Sequence, residues 1–279
     1  MKQATLYFAG SAVGLAWQGL PAERLVEFLF GQSLKAQPAN PADRPDPAII
    51  FELMSPEPGS DELLLVTNQG EKRAGKARDL AYYFIERVTY FLADGSQGGA
   101  LVHAACLAKN GRAVLLPGTS GSGKSTLALW LSQKGYDYLS DELVYIPMAG
   151  LEARGLPRPV HLKKTSIALF PEPASERAMP ASPGALGASS LMVQPETFIP
   201  QAQLAAILFP HYDKDASLAL VKMSGAHSVL NLTSTLVNAR NLPENGFPEL
   251  FRLARELPVY SLMYSNFDKL LPEINTLIA

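Results

Sequence analysis

The chain has 279 residues, enough to bury one large core or two modest ones, and its 47% hydrophobic and 18% charged content is ordinary for a globular protein. A formal net charge of −2 gives no reason to expect nucleic acid or an anionic membrane surface as partner, and a single cysteine, Cys106, excludes an intrachain disulfide. No apolar stretch reaches the length of a membrane-spanning helix.

Taken in chain order, residues 6–17 are apolar but interrupted by two glycines and a serine, which predicts a two-stranded hairpin turning near Gly10-Ser11 rather than a signal peptide. Residues 21–30 predict a short helix with Pro21 in its first turn and Gly31 as its stop. A proline-rich loop is expected over 36–48, then strands at Ile49–Met54 and Leu63–Thr67 around a Pro/Gly/Ser turn. Residues 78–94 place Leu80, Tyr83, Phe84, Val88, Phe91 and Leu92 at helical spacing, so their aromatics read as core. The Gly- and Ser-containing stretch 95–99 marks a boundary, giving an α+β N-terminal region over 1–97 and a second domain over 98–279. In that second domain a strand is expected at Ala100–Ala108. Cys106 lies on the opposite strand face from His103 and reads as a packing residue.

Gly118-Thr119-Ser120-Gly121-Ser122-Gly123-Lys124-Ser125 fits the phosphate-binding pattern G-x-x-x-x-G-K-[ST]. Glycines let backbone N–H groups turn inward around phosphate oxygens, a lysine here reaches the β- and γ-phosphates, and the Ser125 hydroxyl can ligate Mg²⁺. The context is right: Arg112–Leu116 is a short apolar strand pattern, and Lys124–Lys134 is rich in helix formers and stopped by Gly135. The pattern implies a nucleotide triphosphate, with Gly118 through Ser125 and Thr126 as binding residues.

Such a site also needs a carboxylate for Mg²⁺ and a group to orient the acceptor. Asp141 and Glu142 lie between the short apolar runs Tyr136–Leu139 and Leu143–Ile146. On spacing alone a solvated turn is the alternative. Further on, Arg154 to Lys164 is the most basic stretch. If Val160–Lys164 is a strand, His161 and Lys163 share a face, either as an anion site that includes Arg158 or as a lysine-guarded edge. Pro171–Pro200 has little periodicity and is expected to be a long loop or flap. Strands at Ala205–Phe209 and Leu218–Met223, helices at Ala226–Ala239 and Glu244–Glu256, a strand at Tyr260–Tyr264 and a helix from Phe267 complete an α/β core.

The segment His103 to Ile146 resembles the catalytic core of HPr kinase/phosphorylase and its relatives, bacterial serine kinases whose fold is related to phosphoenolpyruvate carboxykinase. The family's order of a histidine opening a strand, a loop ending G-K-S, a helix closing on a basic residue and glycine, and an acidic pair is met by His103, Gly118–Ser125, Lys134-Gly135 and Asp141-Glu142. The resemblance implies an α/β fold with a P-loop core of that type beside a smaller α+β N-terminal region. It implies Asp141 as the base that orients the acceptor hydroxyl, Glu142 with Ser125 as Mg²⁺ ligands, and His103 near the transferred phosphoryl group. Without it, His103 reads as a core histidine.

Three departures stand out: Thr126 occupies a position that typically carries Glu, Glu142 replaces the second Asp, and the family's E-x-R-G-L-G stretch is echoed only by Glu152–Leu156. The chain is thus more similar to divergent members found beside peptide-maturation and polysaccharide genes, some of which phosphorylate peptides. The resemblance implies a cytoplasmic kinase using ATP and Mg²⁺, with Lys124 neutralising charge and a peptide, small protein or small molecule as acceptor. Proper HPr kinases are hexamers, which leaves room for a homo-oligomer. The alternative is a nucleotide-binding regulatory or chaperone module with little or no phosphotransfer. The N-K-x-D and L-S-G-G-Q signatures of other phosphate-loop classes are absent from the sequence.

Overall fold

The computed structural model describes residues 1–36, 44–57, 60–170, 177–181 and 190–279. Parts of the loop expected over 36–48, of the turn before Leu63 and of the flap expected over Pro171–Pro200 lie outside them. The protein is a mixed α/β chain that divides into two compact units: Met1–Ser96 with Pro157–Gln194, and Gln97–Leu156 with Pro195–Ala279. The divisions fall between Ser96 and Gln97, Leu156 and Pro157, and Gln194 and Pro195.

In the first unit, β1 (Lys2–Phe8) and β2 (Ser11–Gln18) form the hairpin, followed by α1 (Leu20–Lys35), β3 (Ile49–Met54), β4 (Glu62–Thr67), β5 (Lys72–Lys76) and α2 (Ala77–Asp94). The five strands lie in chain order in one sheet, with β2 and β3 parallel and the other neighbours antiparallel. Strict alternation buries Ile49, Phe51 and Leu53 on one face of β3. Phe84 of α2 meets Phe51 and Phe30 of α1 there, at ring separations of 5.6 and 5.0 Å. Gly31 does not stop α1. The helix continues to Lys35 because Phe30, Gly31 and Ser33 are buried, and that packing outweighs a glycine's cost of roughly 1 kcal/mol in a helix.

The same unit holds β11 (Val160–Lys163), α4 (Lys164–Ile167), β12 (Ala178–Ala181) and β13 (Ser190–Val193), with the three strands in an antiparallel sheet ordered β11-β13-β12. The region from Pro171 is therefore not a loop throughout. Four-residue strands among prolines and serines carry too little alternation to be read, and their pairing with β11 is long-range.

The second unit is built on an eight-stranded sheet. Its strands are β6 (Gly99–Lys109), β7 (Arg112–Pro117), β8 (Asp137–Ser140), β9 (Leu143–Pro147), β10 (Glu152–Gly155), β14 (Gln201–Tyr212), β15 (Ala219–Lys222) and β16 (Val259–Tyr264). The path runs β10-β9-β6-β7-β14-β16-β15, with β8 pairing the far half of β6. A two-residue turn, Asn110-Gly111 with both φ positive (55° and 79°), joins β6 to β7, the geometry that Asn-Gly favours. Strands β7, β14 and β16 are parallel and end on the same edge.

Helices α3 (Lys124–Ser132), α5 (Gly225–Thr233), α6 (Phe247–Glu256) and α7 (Phe267–Leu277) complete the unit. The helix expected to Ala239 stops at Thr233, because the chain leaves it to pair with the start of β6. His103 N–H donates to Thr235 O at 2.7 Å and Val237 N–H to Leu101 O at 2.8 Å. The helix expected from Glu244 begins at Phe247, since Glu244 and Asn245 have left-handed backbones (φ 48° and 52°). The core gathers Val102, Ala104 and Cys106 of β6, Leu115 of β7, Ile207 of β14 and Leu253 of α6, all buried.

Candidate active site

Strand β7 stops at Pro117, and Gly118–Gly123 carries the chain into α3, with Gly123 as its N-cap. Gly123 is required twice over. Its φ is 97°, and a Cβ there would stand 2.8 Å from Tyr264 Oη and 3.2 Å from Tyr212 Cβ. Tyr212 N–H also donates to Ser122 O at 3.2 Å, pinning the turn to the end of β14. The Lys124 side chain is buried and folds across the turn, its Nζ donating to Gly118 O at 2.6 Å and Thr119 O at 3.1 Å.

Two buried hydroxyls face this turn without a hydrogen-bond partner: Ser122 Oγ, which a Cβ on Gly118 would approach to 2.8 Å, and Tyr264 Oη beside Gly123. A buried hydroxyl with no partner is unusual enough to need a reason. Together with an ammonium and the first-turn N–H groups that an α-helix cannot satisfy internally, they make a donor set suited to an anion.

The acidic pair lies on the neighbouring strands. Asp141 and Glu142 form the turn between β8 and β9, and Ser140 Oγ fixes it by accepting the N–H groups of Glu142 and Leu143, each at 3.2 Å. Asp141 is buried, and Tyr138 Oη donates to its Oδ1 at 3.0 Å. Glu142 is partly exposed, with Oε1 3.4 Å from His103 Nε2, and its backbone carbonyl accepts Ala104 N–H at 3.2 Å.

The register brings these groups to the turn. Ala104 stands opposite Pro117 and His103 opposite Leu143, so β6 is flanked by the glycine-rich turn on one side and the acidic turn on the other. With strands about 4.8 Å apart, the two turns start within roughly 10 Å of each other. Among the described residues no group of three or more His, Cys, Asp or Glu could hold a metal ion. Ser125 Oγ and the Glu142 carboxylate are hard oxygen donors of the kind a divalent cation takes, and two are few enough to require further oxygens from a ligand or water.

Arg158 and Lys163 belong to the other compact unit. Arg158 is buried and committed to α2, donating to Glu86 Oε1 at 2.9 Å and Thr89 Oγ1 at 3.4 Å. Lys163 ends β11 as an exposed residue, and His161 packs its ring on Tyr82 at 4.9 Å. Cys106 is fully buried, and burial pushes its thiol well above the ordinary range, as a packing residue requires. Ser140, Tyr138, Tyr212 and Tyr264 are not among the residues that the sequence marks for the site. Only Ser140, beside the acidic pair, carries a local signal, as a turn-forming hydroxyl.

No family model matches the chain, and no curated protein does. Among solved structures that match is the Hpr(Ser) kinase/phosphatase from Coxiella burnetii, 14% identical over 64% of this chain and 93% of that one, with a TM-score of 0.30, a likeness too distant to assign fold or activity. No helix among the described residues is long and apolar enough to cross a membrane.

Proposed function

We propose that the protein is an ATP- and Mg²⁺-dependent kinase of the HPr-kinase-like type, with its catalytic centre in the Gln97–Leu156 and Pro195–Ala279 unit. It transfers the γ-phosphate to a hydroxyl, a serine in the first instance, of a peptide, small protein or small molecule. The observation that carries this reading is the buried Asp141, held by Tyr138 on a turn one strand away from the glycine-rich turn. A cradle alone would serve a switch as well as an enzyme. A fixed carboxylate beside it is what a hydroxyl acceptor needs.

In this reading Gly118 through Thr126 wrap the phosphates, and Lys124 turns from its own loop carbonyls to their oxygens. Ser125 and Glu142 hold Mg²⁺, which supplies charge neutralisation when bound. The Asp141 carboxylate accepts the proton of the attacking hydroxyl and fixes its direction. His103, 3.4 Å from Glu142, orients the Glu142 carboxylate and serves near the transferred phosphoryl group. ATP dependence assigns the work to the cytoplasm.

The test is phosphate transfer from γ-labelled ATP to serine peptides and to proteins of a cell lysate. Wild type should label an acceptor; Asp141→Asn should bind nucleotide without labelling, and Lys124→Ala should do neither. Undiminished labelling by Asp141→Asn sinks the mechanism. Nucleotide binding with no labelled product from any acceptor would favour a nucleotide-switched module instead.

A further inference from the structure

The acidic turn lies on only one side of β7, and that asymmetry says where the rest of the nucleotide goes. A triphosphate lying in the Gly118–Ser125 turn must point its transferable end toward Asp141 and Glu142, on the β6, β8 and β9 side. Its nucleoside end then leaves in the other direction, over the ends of β14 and β16.

That edge carries a row of aromatic rings. Tyr212 is the last residue of β14 and the register partner of Tyr264, the last of β16. Their rings are 5.6 Å apart at 70°, with Tyr264 buried beneath. Phe267, at the start of α7, lies nearly parallel to Tyr212 (16°, 6.5 Å) and stacks in turn on Trp130 of α3 (26°, 5.3 Å). Tyr212 remains 41% exposed although three features hold it: its N–H on Ser122 O, its Cβ against Gly123, and two rings behind it. A supported, half-open ring next to a phosphate cradle costs little entropy to use, because its rotamer is already fixed.

We infer that Tyr212, backed by Phe267 and Tyr264, is the stacking platform for the base of the bound nucleotide. This rests on the kinase reading for the direction of the triphosphate and on the turn for its capture. Stacking on a ring accepts any base that offers a π-face, so purine triphosphates are bound with little discrimination between adenine and guanine.

Calorimetric titration of the full chain with Mg-ATP, Mg-GTP and inorganic tripolyphosphate tests it. Tyr212→Ala should weaken ATP and GTP by about 5- to 150-fold, the range of one base–aromatic stack, and leave tripolyphosphate within about twofold. Tyr212→Trp should keep nucleotide affinity. Equal weakening of all three ligands would mean that Tyr212 only builds the turn, and no weakening would put the base elsewhere; either result overturns the inference. A wild-type chain that binds tripolyphosphate as tightly as ATP overturns it while sparing the turn. A chain that binds none of them removes the kinase reading as well.

Discussion

Tyr138 Oη and Asp141 Oδ1 are joined by a 3.0 Å hydrogen bond between two buried side chains three residues apart, one on strand β8 and the other on the turn that follows it. Burial would make an ionised carboxylate costly unless it is hydrogen-bonded, and the phenol supplies a donor without adding charge. Tyr138 also lies on β8, which pairs with β6 next to the residues that flank the glycine-rich turn. The bond thus ties the carboxylate's orientation to the sheet rather than to the mobility of a turn.

Tyr138→Phe keeps the ring and deletes the donor. Hydrogen bonds to charged groups are worth about 1.5–3 kcal/mol, so stability in urea should fall by that order. If Asp141 orients the acceptor, turnover should fall about tenfold or more while ATP affinity changes little, a split visible in kcat against nucleotide Kd. An unchanged denaturation midpoint and unchanged turnover would show that the bond contributes neither.

Gly123→Ala should damage the turn through two separable effects. The left-handed backbone costs a non-glycine residue roughly 1–2 kcal/mol, and the added methyl would stand 2.8 Å from Tyr264 Oη. Gly121→Ala carries only the first, since nothing lies within 4 Å of its Cβ position. Thermal melting should therefore rank wild type above Gly121→Ala above Gly123→Ala. Combining Gly123→Ala with Tyr264→Phe should recover part of the loss by removing the hydroxyl. Equal losses for the two single variants would show that the close approach is relaxed at no cost.

The parts of the site that sequence makes legible are those written locally. The glycine spacing, the strand before it, the helix after it and the acidic pair each occupy a few consecutive residues, and the structure places them around β6. What escapes is set by distant partners. Arg158 reads as part of an anion site in a basic stretch, yet it is buried and donates to Glu86, 72 positions away. Tyr212 and Tyr264 become neighbours only because β14 and β16 pair in parallel. The hairpin signal Asn110-Gly111 was present in the sequence and is what sets β6 antiparallel to β7, hence His103 near the turn.

Cys106 offers a check on the core. It is fully buried in β6 among Ala104, Ala108 and Leu115, and burial raises its thiol pKa, which suppresses the reactive thiolate. Thiol reagents at neutral pH should leave the folded chain unmodified and label one site per chain in denaturant. Fast labelling of the native protein would mean that this part of the sheet opens readily.

Alkaline pH should unfold the protein through its buried tyrosines. Burial pushes Tyr136 up to about 12 from 10, and raises Tyr264 and Tyr145 as well. The Tyr136 hydroxyl also donates to Asn275 Oδ1 at 2.9 Å, an arrangement that needs the proton in place. The folded state holds these protons more tightly than the unfolded chain does. Between pH 10 and about 12 the unfolded state has therefore released protons that the folded state keeps. Fewer protons bound in the unfolded state means stability that falls as pH rises, so the contribution is complete below 10 and lost through that window. Near-ultraviolet absorbance should show the buried phenols ionising only together with loss of the circular dichroism signal. Tyr136→Phe removes one of the ionising groups and should move the unfolding transition to higher pH. Titration of all ten tyrosines near 10 with the fold intact would contradict the burial of this set.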